Sequence, residues 1–113
     1  MSDEYIAALP LRELAPGSMR AVEIGARDVL LCHTKEGVAA FDNVCSHAQA
    51  RMSEGRLRGT RLICPLHGAS FDARDGRVLA PPATAPLCRH AVRISDGVIE
   101  VALAASAAVR ISV

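Results

Sequence analysis

Short β-type runs of apolar residues, separated by turn-forming residues, dominate the chain. Residues 98–103 alternate well enough for a half-buried strand, and no stretch keeps the 3.6-residue period of a long helix. Two hairpins are predicted near the middle: residues 29–33 pair with 38–41 across the turn 34–37, and residue 57 pairs with 61–64 across 58–60. We therefore expect an all-β protein built mainly from antiparallel hairpins.

Two Asp-Gly pairs and a proline-rich stretch mark further turns. The pairs at 75–76 and 96–97 are strong signals for tight hairpin turns, and the second joins a strand at 91–94 to one at 98–103. Pro81, Pro82 and Pro86 predict a stiff, extended loop. The tail 104–113 fits either a helical turn, because it is rich in alanine, or a strand, because its last apolar residues alternate.

The bulk composition describes one ordinary domain without a dominant charge. Half of the 113 residues are apolar, so they can build a core without disulfide support. Thirteen basic residues balance twelve acidic ones, and aromatic residues are scarce, which disfavours nucleic-acid binding. No apolar run reaches the roughly 18 residues that span a bilayer, and the acidic start does not resemble a signal peptide. We expect a cytoplasmic protein that binds neither nucleic acid nor membranes.

The segment 43–71 interrupts the β pattern and carries the candidate chemistry. It is rich in glycine, serine and arginine, which is typical of loops held on a rigid frame. Within it lie C-S-H at 45–47 and C-P-L-H at 64–67, so each of two short loops offers one thiolate and one imidazole. Both thiolates can bind one iron and both imidazoles the other, as in a Rieske [2Fe–2S] centre. We therefore predict one such cluster, held by Cys45, His47, Cys64 and His67.

The run C-P-L-H-G-A-S-F-D at 64–72, followed by the Asp-Gly pair at 75–76 and the proline pair at 81–82, resembles the Rieske ferredoxins of bacterial ring-hydroxylating oxygenase systems. The resemblance covers about residues 5–103. It implies an antiparallel β-sandwich base with a small inserted cluster-binding subdomain. That subdomain would occupy about 43–72 of a single Rieske domain at 1–105, followed by a C-terminal tail at 106–113.

The same resemblance implies a function. Members of this family are one-electron carriers and not enzymes with a substrate site of their own. They take electrons from a flavin reductase that uses NADH or NADPH and deliver them to a terminal oxygenase. Because a small shuttle must present one face to two partners, we expect a monomer.

Four positions set this chain apart from the respiratory, high-potential branch of Rieske proteins. That branch carries two further cysteines, paired as a disulfide, at the positions that Gln49 and Leu66 occupy here. It also places Ser and Tyr hydroxyls near the cluster, where this chain has Ala69 and Phe71. Because hydrogen bonds to the sulfurs stabilise the reduced cluster, their loss lowers the potential. The resemblance therefore implies a low-potential cluster without a disulfide.

Two other functions remain open on the sequence. A tetrahedral zinc site in an interaction module also accepts two cysteines and two histidines, although zinc fingers usually group a Cys pair and then a His pair. A Rieske-like small subunit of a reductase, such as nitrite reductase, is the second alternative. A terminal oxygenase is disfavoured, because only His33 and His90 remain for the second iron site that oxygen activation needs.

The other cysteines and histidines have ordinary interpretations. Cys32 and Cys88 lack metal-type spacing, and free cysteines usually behave as small buried apolar residues. His33 and His90 lie within strand-like segments, so we expect ordinary strand residues there.

A group of arginines lies between the two ligand loops. It forms either a rim that steers an acidic partner toward the cluster or the solvated charge of an exposed hairpin. We favour solvated charge, because charge runs commonly mark exposed faces. The residues concerned are Arg51, Arg56, Arg58 and Arg61.

Overall fold

A computed structural model of the chain describes residues 4–46, 49–66 and 68–104. Within these ranges the chain forms ten β-strands and two short 3₁₀ helices, which confirms the predicted all-β class. No helix among the described residues is long and apolar enough to cross a membrane. The strands are β1 (Ile6–Pro10), β2 (Met19–Ile24), β3 (Arg27–Thr34), β4 (Gly37–Asp42), β5 (Arg56–Arg58), β6 (Arg61–Ile63), β7 (Ser70–Asp72), β8 (Val78–Ala80), β9 (Arg89–Ser95) and β10 (Val98–Ala102); the helices are Leu11–Glu13 and Met52–Glu54.

Two antiparallel sheets divide the strands. The large sheet has six strands in the order β1-β10-β9-β4-β3-β2, and the small sheet has four in the order β5-β6-β7-β8. The chain of the small sheet is inserted between β4 and β9, which are neighbours in the large sheet. A β base with a small insertion, as the resemblance implied, is therefore present. The small sheet includes β8, so it extends beyond residue 72.

The predicted hairpins are present, and local turn chemistry explains them. β3 pairs with β4 as far as Thr34 opposite Gly37, and Leu57 of β5 lies opposite Leu62 of β6. β9 and β10 meet at the Asp-Gly pair 96–97, whose φ angles are 51° and 75°. A tight hairpin turn with positive φ at both central positions suits Asp-Gly. The part of the tail at 105–113 lies outside the described residues.

β3 separates two apolar cores. Val29 and Leu31 pack into a core inside the large sheet, whereas Leu30 and Cys32 point to a second core between the two sheets. A strand buried on both faces has a continuous apolar sequence in place of an alternating one. The core inside the large sheet also contains Leu9, Leu14, Ile24, Ala40, Ile99 and Val101; the core between the sheets also contains Phe41, Cys45, Met52, Leu62, Cys64, Phe71 and Leu87.

The turn after β7 packs directly on the large sheet. Gly76 has a φ of +86°, and a Cβ built on it would lie 2.9 Å from Cε1 of Phe41 in β4. The backbone N–H of Leu87 donates to the carbonyl of Gly76 at 2.9 Å. A glycine is therefore required for both the backbone conformation and the close approach.

A buried carboxylate adds a polar tie between the sheets. Asp72 in β7 is 2% exposed, and Arg74 donates from Nη2 and Nε to its two carboxylate oxygens at 2.7 and 2.9 Å. Nη1 of Arg74 also reaches Glu36 in the β3–β4 loop at 3.0 Å. The hydrogen bonds from Arg74 lower the pKa of Asp72 to about 2. Arg74 thus bridges the small sheet to a hairpin of the large one.

Candidate metal centre

Cys45 and Cys64 meet at one point, although they leave different sheets. Cys45 follows β4 of the large sheet after a short bend, and Cys64 directly follows β6 of the small sheet. They are only 4% and 3% exposed, and their thiol groups are hydrogen bonded to each other. The structure thus brings two of the four predicted ligands into contact.

The two cysteine loops close in the same way. The backbone N–H of Cys45 donates to the carbonyl of Ala50 at 2.9 Å, and that of Cys64 donates to the carbonyl of Ala69 at 2.8 Å. In both loops the acceptor is the fifth residue after the cysteine, and in both it is a buried alanine. The predicted histidine ligands lie in the sequence enclosed by these two bonds.

The environment of the thiols fits a site that takes up a cation. Burial raises the pKa of the Cys64 thiol, and the Cys45 thiol beside it raises it further. The backbone N–H of Leu66 lies 3.4 Å from Sγ of Cys64 and lowers its pKa by stabilising negative charge on the sulfur. The raised pKa keeps the Cys64 thiol protonated when no metal is bound, and metal binding would displace its proton. The donor set therefore fits an iron–sulfur cluster.

His47 and His67 lie outside the described residues, so their role as ligands stays a prediction. The residues beside them are held in place. Ser46 donates a hydrogen bond from Oγ to the carbonyl of Ala85 at 2.5 Å, in the proline-rich loop before β9. Gly68 has a φ of +74°, a left-handed conformation that glycine adopts readily.

A buried asparagine joins the two ends of the Cys45 loop. Asn43 is 3% exposed; its Oδ1 accepts from the backbone N–H of Ser53 at 2.7 Å, and its Nδ2 donates to Oγ of Ser53 at 2.9 Å. Nδ2 also lies 3.2 Å from both carboxylate oxygens of Asp28, and the Asn43 backbone N–H donates to the Asp28 carbonyl at 2.9 Å. The loop that holds Cys45 is thereby fixed to the start of β3.

An ion pair adds a second link between this loop and β3. Nε and Nη2 of Arg51 lie 2.9 and 3.3 Å from the two carboxylate oxygens of Asp28. Both side chains are about half exposed, so solvent screens the attraction. The bidentate geometry mainly fixes the orientation of the loop.

The Cys64 loop is positioned by close backbone packing. A Cβ built on Gly55 would lie 1.8 Å from the carbonyl oxygen of Ile63 and 3.2 Å from the backbone N of Pro65. The backbone at residue 55 therefore passes directly beneath the entrance to the Cys64 loop. Only glycine allows this close approach. It sets the distance between the segment that follows the Cys45 loop and the start of the Cys64 loop.

Comparisons with known proteins agree with this geometry. The Rieske [2Fe–2S] domain family matches residues 4–101. The chain belongs to the Rieske [2Fe–2S] family. It is 35% identical over 94 residues to the ferredoxin component of the naphthalene 1,2-dioxygenase system of Pseudomonas aeruginosa, which covers 83% of this chain and 90% of that protein. It is 40% identical over 98 residues to the 3-phenylpropionate/cinnamic acid dioxygenase ferredoxin subunit of Photorhabdus laumondii, covering 86% and 90%.

Solved structures give the same result. A chain in the complex of reduced oxygenase and oxidized ferredoxin in carbazole 1,9a-dioxygenase superposes with a TM-score of 0.82 at 28% identity, covering 89% of this chain and 94% of that one. The predicted family, the Rieske ferredoxins of ring-hydroxylating oxygenase systems, is thus confirmed, and with it the function of a Rieske electron carrier. The relatives are ferredoxin components and do not favour the alternative of a reductase subunit.

Two of the positions that distinguish this Rieske protein from the high-potential branch lie in the same core as the thiols. Ala69 and Phe71 are fully buried in the same core as Cys45 and Cys64. Neither side chain carries a hydrogen-bond donor, so at these two positions only backbone groups could donate to a sulfur. Leu66 contributes such a backbone donor, and its side chain is 43% exposed.

His33 and His90 lie in β3 and β9, as expected, and both have protein partners. Nδ1 of His33 donates to the carbonyl of Leu14 at 2.8 Å. Nδ1 of His90 accepts from the backbone N–H of Ala104 at 3.0 Å, so its Nε2 carries the proton and donates to Asp42 at 2.9 Å. Burial lowers the pKa of His90, which keeps this imidazole neutral.

The remaining cysteines differ from the ligand pair. Cys32 is fully buried in the core between the sheets, and burial raises its pKa to about 12. Cys88 lies within 4.8 Å of the polar atoms of Asp42 and His90. Arg27 also donates to Asp42 at 3.0 Å, so Oδ1 of Asp42 accepts hydrogen bonds from both Arg27 and His90.

The sequence analysis did not single out Asn43, Asp28, Ser53 or Gly55, which position the ligand loops. A polar residue directly after a buried strand and two residues before Cys45 is a usable signal for Asn43, because Asn side chains often bond nearby backbone groups. Gly55 carries no such signal, because its importance comes from a contact with residues that follow it in another strand.

Proposed function

We propose that this Rieske ferredoxin holds one low-potential [2Fe–2S] cluster on Cys45, His47, Cys64 and His67. It carries single electrons in the cytoplasm from an NAD(P)H-dependent flavin reductase to a terminal oxygenase that acts on an aromatic ring, and converts no substrate itself. The observation that carries the proposal is the contact of two buried thiols in loops with the same closure. We place the cluster-binding subdomain at about residues 43–72 of one domain at 1–105, and β8 at Val78–Ala80 completes its sheet.

The chain's own residues hold and tune the site. When bound, a [2Fe–2S] cluster supplies one reversible one-electron couple. The backbone bonds of Cys45 and Cys64 to Ala50 and Ala69 fix the two sulfurs. The Leu66 N–H stabilises charge on one sulfur, whereas the buried side chains of Ala69 and Phe71 add no hydroxyl donor, which supports a potential at the low end of the Rieske range.

Partner contact at the two ligand loops is supported by their surface. Val44 precedes Cys45, Leu66 follows Cys64 by two residues, and each is 43% exposed. Exposed apolar side chains beside a redox site suit a transient protein contact. The relatives are named as components of dioxygenase systems, and a similar chain occurs in a complex with an oxygenase, which supports an oxygenase as one partner.

Metal analysis and electron paramagnetic resonance test the ligand assignment. We expect two irons and two labile sulfides per chain and, after dithionite reduction, the rhombic Rieske signal. Cys64→Ser should remove both, whereas the control Cys32→Ala should keep both, because Cys32 is a buried cysteine of the same core that is not among the proposed ligands. Stoichiometric zinc without the Rieske signal would contradict the cluster and would identify a zinc-bound interaction module.

The electron-transfer assignment needs a separate experiment on the purified chain. We expect a flavin reductase with NADH or NADPH to reduce it, and a terminal oxygenase with its aromatic substrate to reoxidise it. Sedimentation of the purified protein should show a monomer. A chain that accepts electrons only when bound in a larger reductase would instead be a subunit of that enzyme.

A further inference from the structure

The near-neutral total charge conceals an uneven distribution. Residues 56–80, which contain the small sheet, carry five arginines and two aspartates, a formal charge of +3. The rest of the chain carries eight basic and ten acidic residues, a formal charge of −2. The small sheet is therefore the positive end of the molecule, and it is the sheet that delivers Cys64.

Strand register places the arginines of β5 and β6 on one face of that sheet. Arg58 lies directly opposite Arg61, and Arg56 occupies the same side of β5 because side chains alternate along a strand. All three are exposed, whereas Leu57 and Leu62 on the other side pack toward the core between the sheets. Arg77 reaches the same face, because it lies 3.5 Å from Asp72, the register partner of Arg61. We call Arg56, Arg58, Arg61 and Arg77 the basic face.

Within the described part of the chain, Arg77 is the one arginine of this face that pairs with a carboxylate. Its partner Asp72 is buried beneath the face, lies 3.5 Å from Arg77 and is shared with Arg74 at 2.7 Å. Arg61 donates to the neutral hydroxyl of Ser70 at 2.6 Å. Ion pairs of Arg56 and Arg58 are absent from the described residues, in contrast to Arg51, which Asp28 neutralises. The basic face therefore differs from the group of arginines predicted from the sequence, because it excludes Arg51 and includes Arg77.

The pairing of Arg58 with Arg61 has no folding benefit. Like charges directly opposite each other across two strands destabilise a sheet. Arg56, on the same side of β5, lies opposite Ile63, the residue immediately before Cys64, so the positive charge extends from the hairpin turn to the start of one ligand loop. A surface that costs stability and adjoins the redox site is better explained by recognition than by solvated charge alone.

We propose that the basic face is the docking surface for an acidic patch on a redox partner protein, and that it steers that partner toward the Cys64 loop. This inference rests on the proposed electron-carrier function. Charge complementarity increases association rates and fixes orientation, and it weakens as salt screens it. The chain's overall balance of charge and its few aromatic residues favour a protein partner over a nucleic acid.

Two small oxidants of opposite charge measure the sign of the field at the electron exit. Each takes one electron from the reduced holoprotein: ferricyanide, an anion, and tris(phenanthroline)cobalt(III), a cation. We expect ferricyanide to react faster at low salt and to slow as salt rises, and the cobalt complex to behave in the opposite way. R56E/R58E should lower the ferricyanide rate at low salt about tenfold. At about 1 M salt, where the screening length is about 3 Å, the difference should vanish.

The matched control is R12E/R20E, which makes the same charge change at exposed arginines far along the chain from the small sheet. It should change the ferricyanide rate by less than about twofold. R56Q/R58Q gives an intermediate rate and serves if the double charge reversal fails to fold. Equal effects of the two charge-reversed pairs would overturn the proposal, because the field would then reflect total charge alone.

A binding experiment that needs no electron transfer locates the face. Titration of the isotope-labelled holoprotein with a hexaglutamate peptide should shift the amide resonances of the basic face and of β5 and β6, and R56E/R58E should abolish the shifts. Shifts spread over the large sheet would refute the assignment. Tighter binding of an oligothymidylate of equal charge would point to a nucleic acid and would also overturn it.

The two proposals fail in distinguishable ways. A protein that lacks the Rieske signal refutes the proposed function, whatever its salt dependence. A protein with the signal whose rates ignore the charges at 56 and 58 keeps the electron-carrier function and loses only the docking surface.

Discussion

The Cys45 loop leaves a strand whose side chains are buried on both faces, whereas the Cys64 loop leaves a three-residue strand of a small sheet. Both loops close through a bond from the cysteine N–H to a buried alanine carbonyl. What holds each loop in place differs. Hydrogen bonds of Asn43 and Asp28 fix the Cys45 loop, while close packing at Gly55 and the pairing of β5 with β6 fix the Cys64 loop.

This difference shows how one metal site draws on two kinds of restraint. Hydrogen bonds fix the Cys45 loop, which is long and has no sheet partner. They stabilise it strongly only if no buried polar group is left unpaired. Steric contact fixes the Cys64 loop, which is short and joins the paired strands β6 and β7. The closely packed backbone there cannot move unless the sheet moves with it. Each restraint can be removed separately, which makes the comparison testable.

The largest effect is expected from Gly55→Ala. The new Cβ would lie 1.8 Å from the Ile63 carbonyl oxygen, so the backbone must shift, at a cost of about 3 kcal/mol of unfolding free energy. Urea denaturation measures this cost. Hydrogen exchange should increase at the Cys64 amide and much less at the Cys45 amide. Loss of protection at both loops equally would show that they are not held independently.

Gly59→Ala is the control for this substitution. Gly59 has a φ of +61°, but a Cβ there meets nothing within 4 Å. Only the cost of a left-handed conformation applies, about 1 kcal/mol, and the cluster spectrum should not change. If both alanines destabilise the protein equally, then backbone strain and not contact with Ile63 makes Gly55 necessary.

Asn43→Ala should have the next largest effect. It removes the acceptor for the Ser53 backbone N–H and the donor to Asp28, and leaves buried polar groups unpaired at a cost of about 2 kcal/mol. Exchange should now increase at the Cys45 amide while the Cys64 amide stays protected, the reverse of Gly55→Ala. Ser53→Ala keeps the backbone donor and should cost less than half as much. Equal costs would place the important bond on the Ser53 hydroxyl.

The sequence sufficed for the features that depend on local chemistry. An Asp-Gly pair predicted the turn at 96–97, and turn-forming residues between two short apolar runs predicted the hairpin of β3 and β4. The motifs around Cys45 and Cys64 predicted two thiols at one point, because a cluster needs both.

Long-range contacts account for what could not be predicted. The role of Gly55 depends on a carbonyl eight positions later, and β8 joins the small sheet only through pairing with β7. The tie between Arg74 and Glu36 joins two hairpins that are distant in the sequence. The arginines between the loops looked like one group, and only the strand register separated Arg51 from the face that carries Arg58 and Arg61.

Acid should affect the small sheet in a defined pH window. The pKa of Asp72 falls from its ordinary value of 3.8 to about 2 in the folded protein, chiefly through the hydrogen bonds from Arg74. Its stabilisation is therefore fully present above about pH 4 and is lost as the pH falls toward 2. We expect Asp72→Asn to cost about 1 kcal/mol at neutral pH, because its arginine partners are partly solvated. Denaturation curves at several pH values should show the two proteins converging below pH 3.8, and a constant difference would contradict this account.

The smallest effect on stability, and the sharpest test of tuning at the Cys64 loop, is expected from Ala69→Ser. Ala69 is fully buried in the core that holds both thiols, and its carbonyl already accepts the Cys64 N–H. A hydroxyl at this position can donate to a sulfur and stabilise the reduced cluster, so the midpoint potential should rise. Ala73→Ser is the control, because Ala73 is equally buried in that core but lies beyond the far end of β7. Redox titration should show a rise for residue 69 and none for residue 73. An equal rise in both would mean that added polarity in the core, and not a hydrogen bond to sulfur, sets the potential.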